Sequence, residues 1–150
     1  MRFKAMKGEK LKINVILRTA TGFVFAAMCD QASLAAESAT TLYEQCATKQ
    51  TTVEQRKCYP VAVKQSEVEL IAAEKKVRTA MVALEKESEG SRSLHPVMAF
   101  DKAERVYRAF RTAETNRVLA SYGSGNGGDI AANQATIEMN LVRIKQLKGQ

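Results

Sequence analysis

Residues 123–129 read GSGNGGD, and how this stretch is read decides the fold. Gly123, Gly125 and Gly128 match the spacing G-x-G-x-x-G, which in a βαβ unit cradles a dinucleotide pyrophosphate. That use requires a strand before the loop, a helix after it and an acidic residue about 20 positions on. Here Phe100, Ala103, Tyr107, Phe110, Val118 and Tyr122 precede the loop at spacings that share one helical face. The stretch therefore reads as a bend between two helices. Gly123 takes the left-handed conformation that ends the first, and Asp129 caps the second. No cofactor is expected.

Working outward, Ile130, Gln134, Ile137, Leu141, Ile144 and Leu147 recur at helical spacing and predict a last helix from Ile130 to about Leu147. On the other side, His95-Pro96 opens the preceding helix. Val63, Leu70, Val77, Met81 and Leu84 then mark one face of a long helix over Val61 to about Glu87, stopped at Gly90. Pro60 suits the first position of that helix, because it has no N–H to leave unsatisfied. A short turn over Val53 to Cys58 and a first helix over Thr40 to Lys49, with Leu42, Tyr43 and Cys46 on one side, complete the pattern. No segment shows β-branched alternation. The fold class expected is all-α: an antiparallel bundle of three main helices plus a short N-terminal helix.

The first 35 residues have a different character. Arg2, Lys4, Lys7, Lys10, Lys12 and Arg18 precede an uncharged stretch, TATGFVFAAMC, and then DQASLAAES with Ser33 and Ala35 at the small-residue positions of a cleavage site. This is the pattern of a signal peptide over 1–35, cut between Ala35 and Ala36, leaving one domain over 36–150. The apolar run is shorter than the roughly 20 residues of a membrane anchor. Lipidation of Cys29 would want a small residue before it, where Met28 stands. The chain has 23 Lys+Arg and 16 Asp+Glu, of which 6 and 2 lie in 1–35, leaving 17 and 14 and a net charge of +3. With no basic stripe interleaved with aromatics, nucleic acid is not an expected partner.

Removing that segment also leaves Cys46 and Cys58, an even pair in an exported domain, where oxidation is expected. A loop of this length closed by a disulfide stabilises a fold by about 3 kcal/mol. A redox or metal site would want C-x-x-C or clustered histidines, and His95 is the one histidine in the sequence. His95 reads as a surface or capping residue rather than a base. Glu67, Glu74, Asp101, Glu104 and Glu114 read as ion-pair partners of Lys and Arg three or four residues away. Arg105, Arg108 and Arg111 read as a solvated helix face, with an anion-binding ridge as the sharper alternative. Tyr107 and Phe110 read as core, and no enzymatic constellation emerges.

The order of features resembles the exported bacterial envelope family named for the lysozyme inhibitor LprI. Its pattern has two cysteines, then A-Q-R-x-W-x-x-[FY]-R-x-x-x-C, a Gly-Gly turn, a fourth cysteine and T-x-x-R-x-x-x-L. Here Cys46 and Cys58 fit the first pair, and AERVYRAFRTAET supplies Ala103, Arg105, Phe110 and Arg111. Gly127 and Gly128 fit the turn, and Arg143 and Leu147 the ending. Glu104 replaces Gln and Tyr107 replaces Trp. Thr115 stands at the third cysteine and Ala135 near the fourth, so the chain is a variant lacking the second pair. The resemblance implies a periplasmic or secreted protein that binds a protein partner and inhibits lysozyme. Alternatives are an immunity protein against another envelope-acting toxin and a structural or stress protein of the envelope. The exposed tip at Gly125 and Asn126, with Arg108, is the expected contact surface, whereas Arg111 and Arg143 are alternatively internal ties between helices.

Overall fold

The structure, a computed structural model, describes residues 36–149. The expected signal peptide and Cys29 lie outside the described residues. Five helices follow one another: α1 (Ala39–Ala47), α2 (Thr52–Glu87), the single turn α3 (Glu89–Ser93), α4 (Pro96–Ser121) and α5 (Gly128–Lys148). No strand occurs among the described residues. None of these helices is long and apolar enough to cross a membrane.

Local chemistry sets the ends. Ser38 caps α1 by accepting from the Thr41 N–H at 3.1 Å. Thr51 and Glu54 form a reciprocal capping box at the start of α2, with contacts of 3.2 and 3.1 Å. That box starts α2 earlier than sequence periodicity placed it, so Pro60 lies inside the helix rather than at its first position. Proline there removes one backbone hydrogen bond. The adjacent Cys58 and Tyr59, one bridged to α1 and the other fully buried, anchor the segment across that gap. The stop is also different. Ser88 turns the chain with extended backbone and caps α3, in which Gly90 is an ordinary helical residue. His95, at φ 48°, and Pro96 then open α4.

Contacts between helices fix their directions. Glu67 meets Arg111, and Arg78 meets Asp101, so α2 and α4 are antiparallel. Thr115 meets Thr136 and Glu104 meets Arg143, so α4 and α5 are antiparallel as well. Gln134 donates to Tyr59 and Asn140 donates to Ser66, so α5 runs alongside α2 in the same direction.

The interior has two apolar clusters. One gathers Cys46, Tyr59, Ala62, Ile130 and Ile137, with Leu42, Tyr43, Cys58 and Val63 against it. The other gathers Leu70, Ala73, Val77, Ile144 and Leu147, with Met81, Phe100 and Tyr107 against it. Cys46 and Cys58 are bonded, with Cα atoms 5.4 Å apart, and Glu69 of α2 accepts the Ala39 N–H at 2.7 Å, so α1 is fastened at both ends. Of the stripe expected on α5, Ile130, Ile137, Ile144 and Leu147 are buried and Gln134 and Leu141 half-buried. On α2, Leu70 and Val77 are buried as expected, but Leu84 is 39% exposed, and the row runs through Tyr59, Ala62 and Ser66 instead.

Candidate functional site

Helix α4 carries most of the residues the sequence singled out, and its orientation sorts them. Glu104 is its one buried residue. Phe110, expected in the core, is 59% exposed, with Val106 at 61%. The inward row of α4 is Phe100, Glu104, Tyr107 and Arg111. Their partners on α2 and α5 are polar enough that charge, rather than an apolar stripe, chooses the face.

Between the apolar clusters lies a polar layer centred on Asn140, which is fully buried. Its amide nitrogen donates to Ser66 at 2.9 Å and to Glu67 at 3.4 Å, and its oxygen accepts from Arg111 at 2.6 Å. Arg111 also pairs with Glu67 at 2.7 Å, and its side chain is only 15% exposed. One turn further, Arg143 bonds both oxygens of buried Glu104 and lies 5.5 Å above the Tyr107 ring. Burial pushes the Tyr107 phenol up, against the pull of Arg111 and Arg143. Buried polar groups with all partners in place fix helix register, because displacement leaves a desolvated group unpaired. Arg111 and Arg143 are therefore internal ties. Glu67, Glu74, Asp101 and Glu104 are paired between helices, and Glu114 with Arg117 pairs along the helix. Arg108 holds Glu74. Sequence spacing showed the acids as ion-pair partners of neighbours three or four residues away, which holds for Glu114 with Arg117, but the partners of Glu67, Glu74, Asp101 and Glu104 lie 23 to 44 residues away in the chain.

The Gly-rich stretch is a tight turn between α4 and α5. Gly123 (φ 53°) ends α4 in the left-handed conformation, as expected. Gly127 (φ 102°) is the N-cap of α5, so Asp129 sits within the first turn rather than capping it. There it pairs with Arg56 at 2.9 Å, and that hydrogen bond holds its carboxyl below the usual range. Gly128 is buried, and a Cβ there would meet Tyr122 at 3.0 Å and Leu119 at 3.3 Å. Ser124, Gly125 and Asn126 form the exposed tip. Thr115, which the sequence sets at the third cysteine of the family pattern, shares a 2.9 Å hydrogen bond with Thr136, so the residue facing it is Thr136, next to Ala135.

A family model described as lysozyme inhibitor LprI matches residues 43–147. The chain belongs to the LprI lysozyme inhibitor family. No curated protein and no solved structure matches it.

The positions that the sequence matches to a family motif divide into two sets in the structure. Arg111, Arg143, Tyr107, Gly127, Gly128 and Leu147 hold helices or the turn in place. Ala103, Arg105 and Phe110 are exposed and hold nothing. Ala103 and Phe110 lie on the outer face of α4, beside Val142 of α5, itself 58% exposed. Two shallow depressions of about 590 and 350 Å³ share Phe110, Tyr107 and Arg143 in their walls. Arg105 instead lines a cleft between α2 and α4. Sequence reasoning missed this outer face because Phe110 follows Tyr107 at a spacing that equally suits a core stripe.

Proposed function

We propose that the chain is an exported envelope protein, released by cleavage after Ala35, that binds a c-type lysozyme and inhibits it without being an enzyme itself. Membership of the LprI family over residues 43–147 carries this reading. The binding surface proposed is the outer face of α4 around Phe110 and Val106, extended by the tip at Gly125 and Asn126. Its support is physical. A contiguous apolar surface left uncovered on a rigid helix pair is the usual form of a protein contact, and the paired arginines beneath it keep that face fixed. Arg108, held by Glu74, belongs to the opposite side of α4 and is a weaker contact candidate than the sequence suggested.

One observation favours a second reading. Residues 36–150 carry 17 basic and 14 acidic residues, a net positive charge that does not steer the chain toward a cationic lysozyme. An immunity or stress protein bound to another envelope partner fits that charge better. Calorimetric titration of the purified oxidised protein against a c-type lysozyme at physiological salt, with muramidase activity followed in the same samples, separates the two. Micromolar or tighter binding with matching loss of activity, weakened by Phe110→Ser, establishes inhibition. No heat and no inhibition removes lysozyme as the partner and leaves the envelope reading.

A further inference from the structure

On the side of α4 opposite Phe110, a cleft of about 690 Å³ between α2 and α4 has two buried carboxyl groups in its wall, Glu74 and Glu104. Glu104 has donors for both oxygens, from Arg143. Glu74, with a side chain 9% exposed, has one: its Oε2 accepts from Arg108, while its Oε1 is buried and has no donor among the described residues. Glu104 is the other buried carboxyl of the same wall, and its presence adds to the upward push that burial exerts on the Glu74 titration. Two ionised carboxylates so placed repel each other, and a buried oxygen without a donor adds a desolvation cost. A single proton on Glu74 Oε1, donated to Glu104, removes both defects. The fork of Arg143 on Glu104 favours keeping the negative charge there rather than on Glu74.

We propose that Glu74 and Glu104 share one proton, and that this carboxyl pair makes the docking of α4 on α2 tighter in mild acid than in base. Glu74 is surrounded by Glu104, Arg108, Asp101 and Arg105 of α4, by Arg143 through Glu104 from α5, and by Lys75 and Arg78 of its own helix. Arg78 is taken up by Asp101, and Lys75 and Arg105 are exposed, so Arg108 is the cation that acts directly on Glu74. Burial outweighs it and raises the Glu74 titration, with Glu104 adding to the rise. A carboxyl raised in the folded state contributes stability that is complete below the unfolded value and is lost as pH rises through the folded one. Each pH unit of elevation corresponds to a factor of about ten in the folded-to-unfolded ratio. The switch therefore works upward from about pH 4.3, the ordinary glutamate value. It is opposite in sign to the surface pairs of Asp101 and Asp129, whose lowered carboxyls lose their contribution only in stronger acid.

The test uses the full oxidised protein and Glu74→Gln, whose amide keeps the shape and donates to Glu104 at every pH. Urea midpoints are measured from pH 5 to 8, and the Glu74 carboxyl is followed directly by ¹³C NMR. Expected are a Glu74 titration above the ordinary glutamate value, a wild-type midpoint that falls as pH rises through it, and a flatter profile for Glu74→Gln, which is no less stable than wild type at pH 8. A Glu74 carboxyl titrating at or below the ordinary value, or a Glu74→Gln profile as steep as that of wild type, overturns the shared proton.

Discussion

The disulfide end of the bundle and the α4 side are built on different physics. At the disulfide end, α1, α2 and α5 bury Cys46, Tyr59, Ala62, Ile130 and Ile137 around a covalent bridge. Apart from the exposed Arg56–Asp129 pair, its polar contacts between helices are single hydrogen bonds, with the Tyr59 hydroxyl accepting from Gln134 at 2.7 Å, Glu69 accepting the Ala39 N–H at 2.7 Å and Tyr43 donating to Glu138. Helix α4, 26 residues long, buries only Glu104 and leans on the rest through half-buried Phe100 and Tyr107 and through Arg111, Arg108 and Arg143 pairs. Apolar burial is strong but non-directional. Charge pairs contribute little net stability against apolar substitutes, yet become costly when one partner is lost. One end of the molecule is thus held by area and a covalent link, and the other by register. The helix held by register is also the one whose outer face is free to meet a partner.

The sharpest way to break this contrast is Arg143→Ala. It leaves Glu104 buried without its cation and is expected to cost about 3–5 kcal/mol, read as a fall in the urea midpoint. A loss below about 1 kcal/mol, the range of an exposed pair, would place the pair effectively at the surface. Next in size is the bridge. Cys46→Ala/Cys58→Ala is expected to lose about 3 kcal/mol of global stability in thermal or urea melts. Binding by the α4 face should persist wherever the variant remains folded, because α1 makes no part of that face.

A smaller change sharpens the comparison by adding a covalent tie where α4 has none. Thr115 and Thr136 face each other with hydroxyls 2.9 Å apart. Thr115→Cys/Thr136→Cys is expected to oxidise readily and to gain up to about 3 kcal/mol, less any strain in the new bridge. Equal midpoints for its oxidised and reduced forms would contradict the register in which α4 and α5 pair. The smallest effect on stability is expected from Phe110→Ser, within about 0.5 kcal/mol because the ring is exposed. The same substitution should weaken the proposed lysozyme complex strongly. A large drop in midpoint would return Phe110 to the core.

Much of the fold was legible in the sequence. The α5 stripe stands out because Ile130, Ile137, Ile144 and Leu147 all face apolar neighbours, and the Gly-rich turn because Gly123 and Gly127 need left-handed backbone. Other boundaries were hidden by strong local signals. Pro60 looks like a helix start until the Thr51–Glu54 box is recognised, and Gly90 looks like a stop although Ser88 provides one. On α2 the buried row passes through Ala62 and Ser66, small residues that an apolar count overlooks.

The candidate surface was less legible, for a physical reason. Hydrophobic periodicity assigns the inward face of a helix to its apolar residues, which holds on α4 for Phe100 and Tyr107 and fails for Phe110 and Glu104. Glu104 goes inside because Arg143, 39 residues away, meets it there, and Phe110 is left outside. Nothing local to either residue carries that information. The sequence placed a counterpart of Thr115 near Ala135, and the residue that faces it is the adjacent Thr136, since spacing in a loop-bearing hairpin does not fix the facing pair to the residue.

The most direct measurement is native-state amide hydrogen exchange, residue by residue, on wild type and Arg143→Ala. If α4 is attached by charge, the variant should lose protection in α4 and along its seam with α5, while the amides of α1 and of α2 around Tyr59 and Ala62 keep theirs. An equal loss of protection across all helices would contradict the division, showing that α4 belongs to the same cooperative core as the disulfide end.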